Sequence, residues 1–463
     1  MATEPQQNPP NPPQPETPQR PPAGGVATSS LLDSGAQIAV IFLSLIGGIV
    51  LSRLLGAEGR GRYVFATYIL SSLLMGLGNL GAGLAAQVFV ARTPARLAQI
   101  HTLGVWLCLG CGWLMGGACV AAWPLLKHTV FDGMQLMHLV VVSVALPFQL
   151  YLAVAYGLLI GLGAVRRRAA FEIVYQTLQS AAVVIVLLFL RGPQFPDPVA
   201  MLVLSYFTLV IFAAPVLVRE LSRFGALWQK PESALRAEFL NYGRQIWFGG
   251  IANEVSWRFD QFLVNGALGA APLGIYNLAT TNAARSALAA VSLTRSLYSR
   301  VCAAPSREAA DLCARGFRQL LLIGLVMFVG GIAVVPLFPI VYGKEFVDTG
   351  FLFVIVLVGW LLHNASRMLS MYFTGHLVRP DIPLKVNWGL LPFQLGLTWF
   401  MLEHHGITGV AIATSISFSA TAIAFVWLFA QREETPPLSE LIRIRRGDIH
   451  AWIALAKRLL KRA

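Results

Sequence analysis

Six ionisable side chains lie where an apolar chain can least accommodate them. Glu254, Arg258 and Asp260 fall within one hydrophobic stretch, Arg285 and Arg295 in the next, and Arg367 in a later one. At the centre of a membrane helix each costs ~2.5 to 3.5 kcal/mol even on the lenient insertion scale, so each implies a partner or a water-filled cavity. Four arginines against two acids favour an anion over a cation as the guest. A guanidinium suits phosphate because its planar fork donates two hydrogen bonds and stays charged when partly desolvated. Spacing sorts these residues further. Asn277, Thr281, Arg285, Ser292, Arg295 and Ser299 recur at three, four or seven residues, which makes one polar stripe along a helix. Such a stripe lines water or packs on polar neighbours; it cannot face lipid. Glu254 and Arg258 are four apart with the acid first, the order that pairs along a single helix. The alternative to a cavity is therefore structural pairing, Arg258 with Glu254 and another arginine with Asp260. Glu254 is also a candidate for proton or cation coupling. Asn364 and Arg367, three apart, make a smaller patch, and Asp33, Gln37 and Ser44 share one side of the first helix as cavity wall or helix–helix glue.

Positioning these groups takes a bilayer. Of 463 residues, 56% are hydrophobic and only 12% charged, and the mean hydropathy is +0.65. Apolar runs of the ~20 residues that cross ~30 Å of hydrocarbon recur nearly end to end. They are continuous and do not alternate with period two, which excludes a barrel. Helices are expected at about 30–55, 63–91, 98–124, 135–161, 169–190 and 199–220, then at 243–267, 275–299, 316–340, 348–376, 382–402 and 408–430. The net charge of +13 does not point to nucleic acid, because the basic residues sit in alternate loops and in the C-terminal tail. With the N-terminus inside, the cytosolic loops and their flanks carry 16 Lys and Arg against 6 in the opposite loops, a bias that places both termini in the cytosol. Residues 1–29 form a Pro-rich disordered tail, 221–241 a charged linker between lobes 30–220 and 242–430, and 431–463 a basic tail. In that tail Ile449, Trp452, Ile453, Ala456 and Leu459 follow helical spacing, an interfacial amphipathic helix. Cys108 and Cys111 form a CxxC pair with no third ligand nearby, and are read as packing. His404, His405 and Glu403 are too few to make a metal site.

The two halves are related. LGAEGRGRYVFAT, Leu55 to Thr67, aligns without gaps on LGAAPLGIYNLAT, Leu268 to Thr280, with seven of thirteen positions identical. Each copy follows the first helix of its half and runs into the second. With an even number of helices per half, the repeats are parallel, and parallel repeats build transporters with a midplane site between lobes that rock against each other.

SRLLGAEGRGRYVFATYI followed by LGNLGAGLAAQVFVAR resembles the first two helices of the polysaccharide biosynthesis and export proteins, the oligosaccharide flippases of the multidrug/oligosaccharidyl-lipid/polysaccharide (MOP) superfamily. Arg53, Leu55, Gly56, Glu58, Gly61 and Tyr63 fit that family's opening motif, with Ala57 where it has proline. GITGVAIATSIS, Gly406 to Ser417, resembles the start of its last helix, and GHLVRPDIPLKVN, Gly375 to Asn387, its link between helices ten and eleven. Where the family often has Asp-Arg in helix seven, this chain has Asp260-Gln261. The resemblance implies an all-α polytopic membrane protein of about twelve transmembrane helices in two six-helix lobes, a MATE-like MOP fold in a bacterial inner membrane. It also implies a flippase for a polyprenyl-diphosphate-linked oligosaccharide, with Arg285, Arg295, Arg367 and Arg258 on the diphosphate and neutral side chains on sugar hydroxyls. Membrane lipids, and a polysaccharide polymerase or glycosyltransferases, are the other expected partners. No cofactor, metal or enzymatic activity is expected, since no loop carries a nucleophile–base set, a phosphate loop or ligand spacing. A cation-coupled drug antiporter of the same superfamily would want acids to dominate the cavity; a membrane-embedded glycosyltransferase or polymerase would want a large outer loop.

Overall fold

The computed structural model describes residues 23–128, 131, 134–189 and 197–442, without the side chains of 23–34, 36–38, 295, 296, 299 and 442. The expected amphipathic run around Trp452 and most of the Pro-rich tail lie outside the described residues, as do the side chains of Asp33, Gln37 and Arg295.

Backbone polar groups have no water to bond in hydrocarbon, and the described residues answer with helix throughout, with no strand among them. Eight stretches are long and apolar enough to cross a bilayer, and two of these hold two helices each. Ala23–Val64 is continuous except at Gly56 (φ 71°), which separates α1 (23–55) from the start of α2 (57–92), itself interrupted at Asn79, Leu80 and Gly81. Asp381–Ala430 breaks in the same way at Gly406 (φ 56°), between α11 (381–405) and α12 (407–430). The other six stretches are α3 (Leu97–Ala121), α4 (Leu136–Gly161), α5 (Val165–Phe189), α6 (Pro198–Ser222), α9 (Ser306–Val334) and α10 (347–376). Two further helices, α7 (Ser233–Leu268) and α8 (270–303), complete the twelve. They fall short of span-level apolarity because they carry the embedded polar residues. The α7 helix begins ten residues before its expected start. Leu235 and Phe239 in those residues are buried, the latter 5.5 Å from the Phe89 ring, so half of the anticipated linker is packed helix.

The repeat is visible as geometry. Gly269 (φ 86°) breaks the chain between α7 and α8 as Gly56 does between α1 and α2. The two copies also touch each other: a methyl at Gly61 would overlap the Ala270 carbonyl, and one at Gly274 would overlap the Ala57 carbonyl. These are the same two positions of the repeat exchanged, as a two-fold axis between the lobes requires. Across that axis the stretch Ala23–Val64, which is α1 with the start of α2, packs on α8, and α2 packs on α7. On the side of the α1–α2 connection, the Ala57 N–H donates to Glu345 Oε2 at 2.7 Å, and Arg53 Nε donates to the Val341 carbonyl at 2.8 Å.

Candidate substrate cavity

A cavity of about 310 Å³ opens between α1, α2, α5, α6 and α8. Two arginines reach it. Arg285 sits where α8 breaks between Ala284 and Ala287, and its guanidinium donates to Asn282 Oδ1 one turn back. Arg60 is the second, and sequence reasoning had placed it in a loop. A turn made by the single residue Gly56 leaves no loop there, so Arg60 falls within α2 facing inward, only 5% exposed. It donates to Ser52 Oγ at 2.9 Å, the Gly48 carbonyl at 3.2 Å and Asn277 Oδ1 at 3.3 Å, which ties α2 to α1 and α8. Its Nε–H is buried with no acceptor among the described residues. Among the described residues no carboxylate lines the cavity.

Asn277 and Thr281 lie on the wall as their stripe predicted, and Asn277 Nδ2 also donates to Gln261 Oε1 at 2.8 Å. One residue earlier on both helices, Tyr276 donates to Asp260 Oδ2 at 2.6 Å. Thr414 of α12 donates to the same oxygen at 3.1 Å and the Gln261 N–H to Oδ1 at 2.7 Å. The buried Asp260 carboxylate is thus met by hydroxyls and an amide, not by the arginine anticipated for it. Arg258 also departs from its expected pairing. Its guanidinium lies 4.1 Å from the Tyr68 ring centre, a cation–π contact, and no ion pair joins it to Glu254. Arg258, Asp260 and Thr414 line a smaller cavity of about 100 Å³ that shares Tyr68 and Thr281 with the main one. Glu254 packs instead against Gly76 of α2.

The α10 residues stand apart. Asn364 Nδ2 donates to Ser286 Oγ at 3.0 Å, so it braces the break in α8, and Arg367 lines neither cavity. The helix backbone at Arg295 and at Asp33 and Gln37 is described, but their side chains are not, so the structure places none of the three in the cavity. Besides Arg60, the sequence reading missed Gln176 and Gln179 of α5 and Tyr206 of α6, which line the same cavity. Two glutamines three apart in an otherwise apolar helix were a signal available from spacing alone.

Among the described residues, twelve helices in two repeat-related lobes around a polar cavity make up a fold of the MOP type. The Lipid II flippase MurJ in its inward closed conformation superposes with a TM-score of 0.71 at 13% identity, over 92% of this chain and 93% of that one. A multidrug resistance MATE family transporter in an inward-facing conformation gives 0.67 at 15% identity, over 89% and 98%. A MOP superfamily transporter from Pyrococcus furiosus, described by the reverse polarity of its binding pocket, gives 0.58 at 15% identity, over 91% and 96%. At these identities the likeness is one of fold. A protein of Shigella flexneri described as an O-antigen transporter is 23% identical over 203 residues, 42% of this chain. The chain spans about half, 48%, of that curated relative. Residues 27–298 match the polysaccharide biosynthesis protein family, and the chain belongs to it.

Proposed function

We propose that this multi-pass membrane protein is a flippase that moves a polyprenyl-diphosphate-linked oligosaccharide from the cytosolic to the outer leaflet of the inner membrane, with both termini in the cytosol. The observation that carries the proposal is the pairing of Arg60 and Arg285 on one cavity between the lobes with no acidic residue among the described residues of its wall. Two cations in a partly desolvated cleft attract an anion and repel the cationic drugs an antiporter of this fold would export. Arg285 and Arg60 bind the diphosphate, with Asn277 and Thr281 beside them. Of the arginines anticipated from sequence, Arg258 belongs to the adjoining cavity, and Arg367 lines neither. Rocking of the lobes about the Gly61–Gly274 contact then exposes the cavity to each leaflet in turn, and the lipid chain stays in the bilayer. Family membership supports a role in polysaccharide assembly, and a polymerase or glycosyltransferases that use the same lipid are the natural partners.

The test is reconstitution in proteoliposomes with a labelled polyprenyl-diphosphate oligosaccharide, scoring the fraction accessible to an added glycosidase. Wild-type protein is expected to raise that fraction well above protein-free vesicles and Arg285→Ala to abolish the gain. Accessibility that never exceeds the protein-free control, together with uptake of a cationic dye against a proton gradient, would replace this reading with the antiporter.

A further inference from the structure

The cavity has two unlike walls. On the α8 and α2 side stand Arg285 and Arg60. On the α5 and α6 side the described lining residues are Gln176, Gln179, Ser180 and Tyr206, none of them charged. Gln179 Nε2 donates to the Tyr175 hydroxyl at 2.7 Å and Ser180 Oγ to the Leu43 carbonyl at 3.1 Å, so both are partly engaged. The half-buried Gln176 amide has no hydrogen-bond partner among the described residues. It presents two donors and one acceptor to the cavity from a membrane helix, where an unused amide is costly.

Resting on the flippase reading, we propose that this wall is a carbohydrate subsite. It holds the uncharged sugar attached directly to the diphosphate, with Gln176 as its specificity-determining contact and Tyr206 as an aromatic floor. A sugar ring matches such a wall: its hydroxyls both donate and accept, as an amide does, and its C–H faces lie against tyrosine rings. A charged group would find no counter-ion there. The volume supports the same assignment, since about 310 Å³ is at the small end of the ~300–1,000 Å³ of ligand pockets. That is room for a diphosphate and its neighbouring sugar, with the rest of the repeat unit outside. Selection by hydroxyl-matching amides also discriminates strongly, because a ligand lacking the hydroxyl leaves the amide unpaired.

The experiment measures binding of undecaprenyl diphosphate, with and without one attached neutral hexose, to the full-length protein in nanodiscs. For wild type the glycosylated lipid binds more tightly. Gln176→Met, close in size and at home in a membrane helix, removes that preference by about tenfold and leaves the sugar-free lipid unchanged, as loss of one buried hydrogen bond predicts. Arg285→Ala weakens both lipids alike. Tyr206→Leu serves as a second variant and is expected to behave as Gln176→Met does. Equal loss for both lipids in the Gln176 and Tyr206 variants, or no loss in either, would overturn the subsite. Failure of wild-type protein to bind either lipid would instead overturn the flippase reading beneath it.

Discussion

Arg60 and Arg285 share a cavity but are held differently, and the difference predicts separable phenotypes. Arg60 has acceptors on two other helices, Gly48 and Ser52 of α1 and Asn277 of α8, whereas Arg285 has only Asn282 one turn away on its own helix. Arg60→Ala removes a cation and also strands buried polar atoms at about 1 to 3 kcal/mol each, so both transport and Tm are expected to fall. Arg285→Ala should abolish transport with Tm nearly unchanged. Equal thermal losses in the two variants would show that Arg285 is structural as well. Asp260 makes a third case. Its carboxylate is consumed by Tyr276, Thr414 and the Gln261 N–H, which is what a brace between α7, α8 and α12 requires. Asp260→Ala is therefore expected to cost several kcal/mol of stability, and Asp260→Asn, which keeps one acceptor, roughly half as much, read from thermal melts in detergent. Glu254→Gln should leave stability unchanged, since Arg258 rests on the Tyr68 ring and forms no pair with it.

Helices impose what single residues cannot, and here the duplication explains where the cavity lies. The alignment that pairs Gly56 with Gly269 extends back along α1 and α7 to pair Gly47 with Asp260 and Gly48 with Gln261. In the second lobe Asp260 and Gln261 fill the space beside Tyr276 and Asn277; in the first, Gly47 and Gly48 leave it open, and both glycines line the cavity. The site is the gap that remains when one copy of a packed helix pair loses its side chains. A Cβ at Gly47 would meet only ordinary contacts, the nearest Ser180 Oγ at 3.5 Å, so Gly47→Leu should fold and fill the gap. We expect it to block transport with Tm retained; transport at wild-type rate would place the substrate elsewhere. At the inter-lobe axis the opposite holds. Gly61→Ala and Gly274→Ala each push a methyl into the partner repeat's backbone and should destabilise by similar amounts, about 1 to 3 kcal/mol or more. Helix number and the repeat were legible in the sequence because each is a periodic signal over many residues. Arg60 was not, because a seven-residue loop and a one-residue break at Gly56 look alike in composition. Asn364 and Arg367 misled for a related reason: spacing puts them on one face of α10 but does not say that the Asn364 Nδ2 donates to Ser286.

At the scale of the whole molecule, alternating access needs a contact that closes one side and can be broken at small cost. The crossing between the α1–α2 and α9–α10 connections has that character. Glu345 accepts the Ala57 N–H at the start of α2, where the helix dipole favours a carboxylate, and Arg53 caps the carbonyls of Ile340 and Val341 at the end of the short helix Leu337–Tyr342. Tyr342, in the same short helix, is buried and forms part of the cavity wall, so opening this crossing opens the cavity on that side. With both termini in the cytosol, as proposed, that side faces the outside. Hydrogen bonds to charged groups contribute about 1.5 to 3 kcal/mol, so removing one should shift the closed-to-open ratio by roughly tenfold or more. The measurement places a cysteine at Thr281, which lines the cavity, in a chain whose five native cysteines are replaced, and labels it with a membrane-impermeant reagent in oriented vesicles. Arg53→Ala or Glu345→Gln should each raise outside labelling by about that factor and lower inside labelling in parallel. Labelling that changes on neither side would mean that the crossing holds the loops together without setting the balance between the two states.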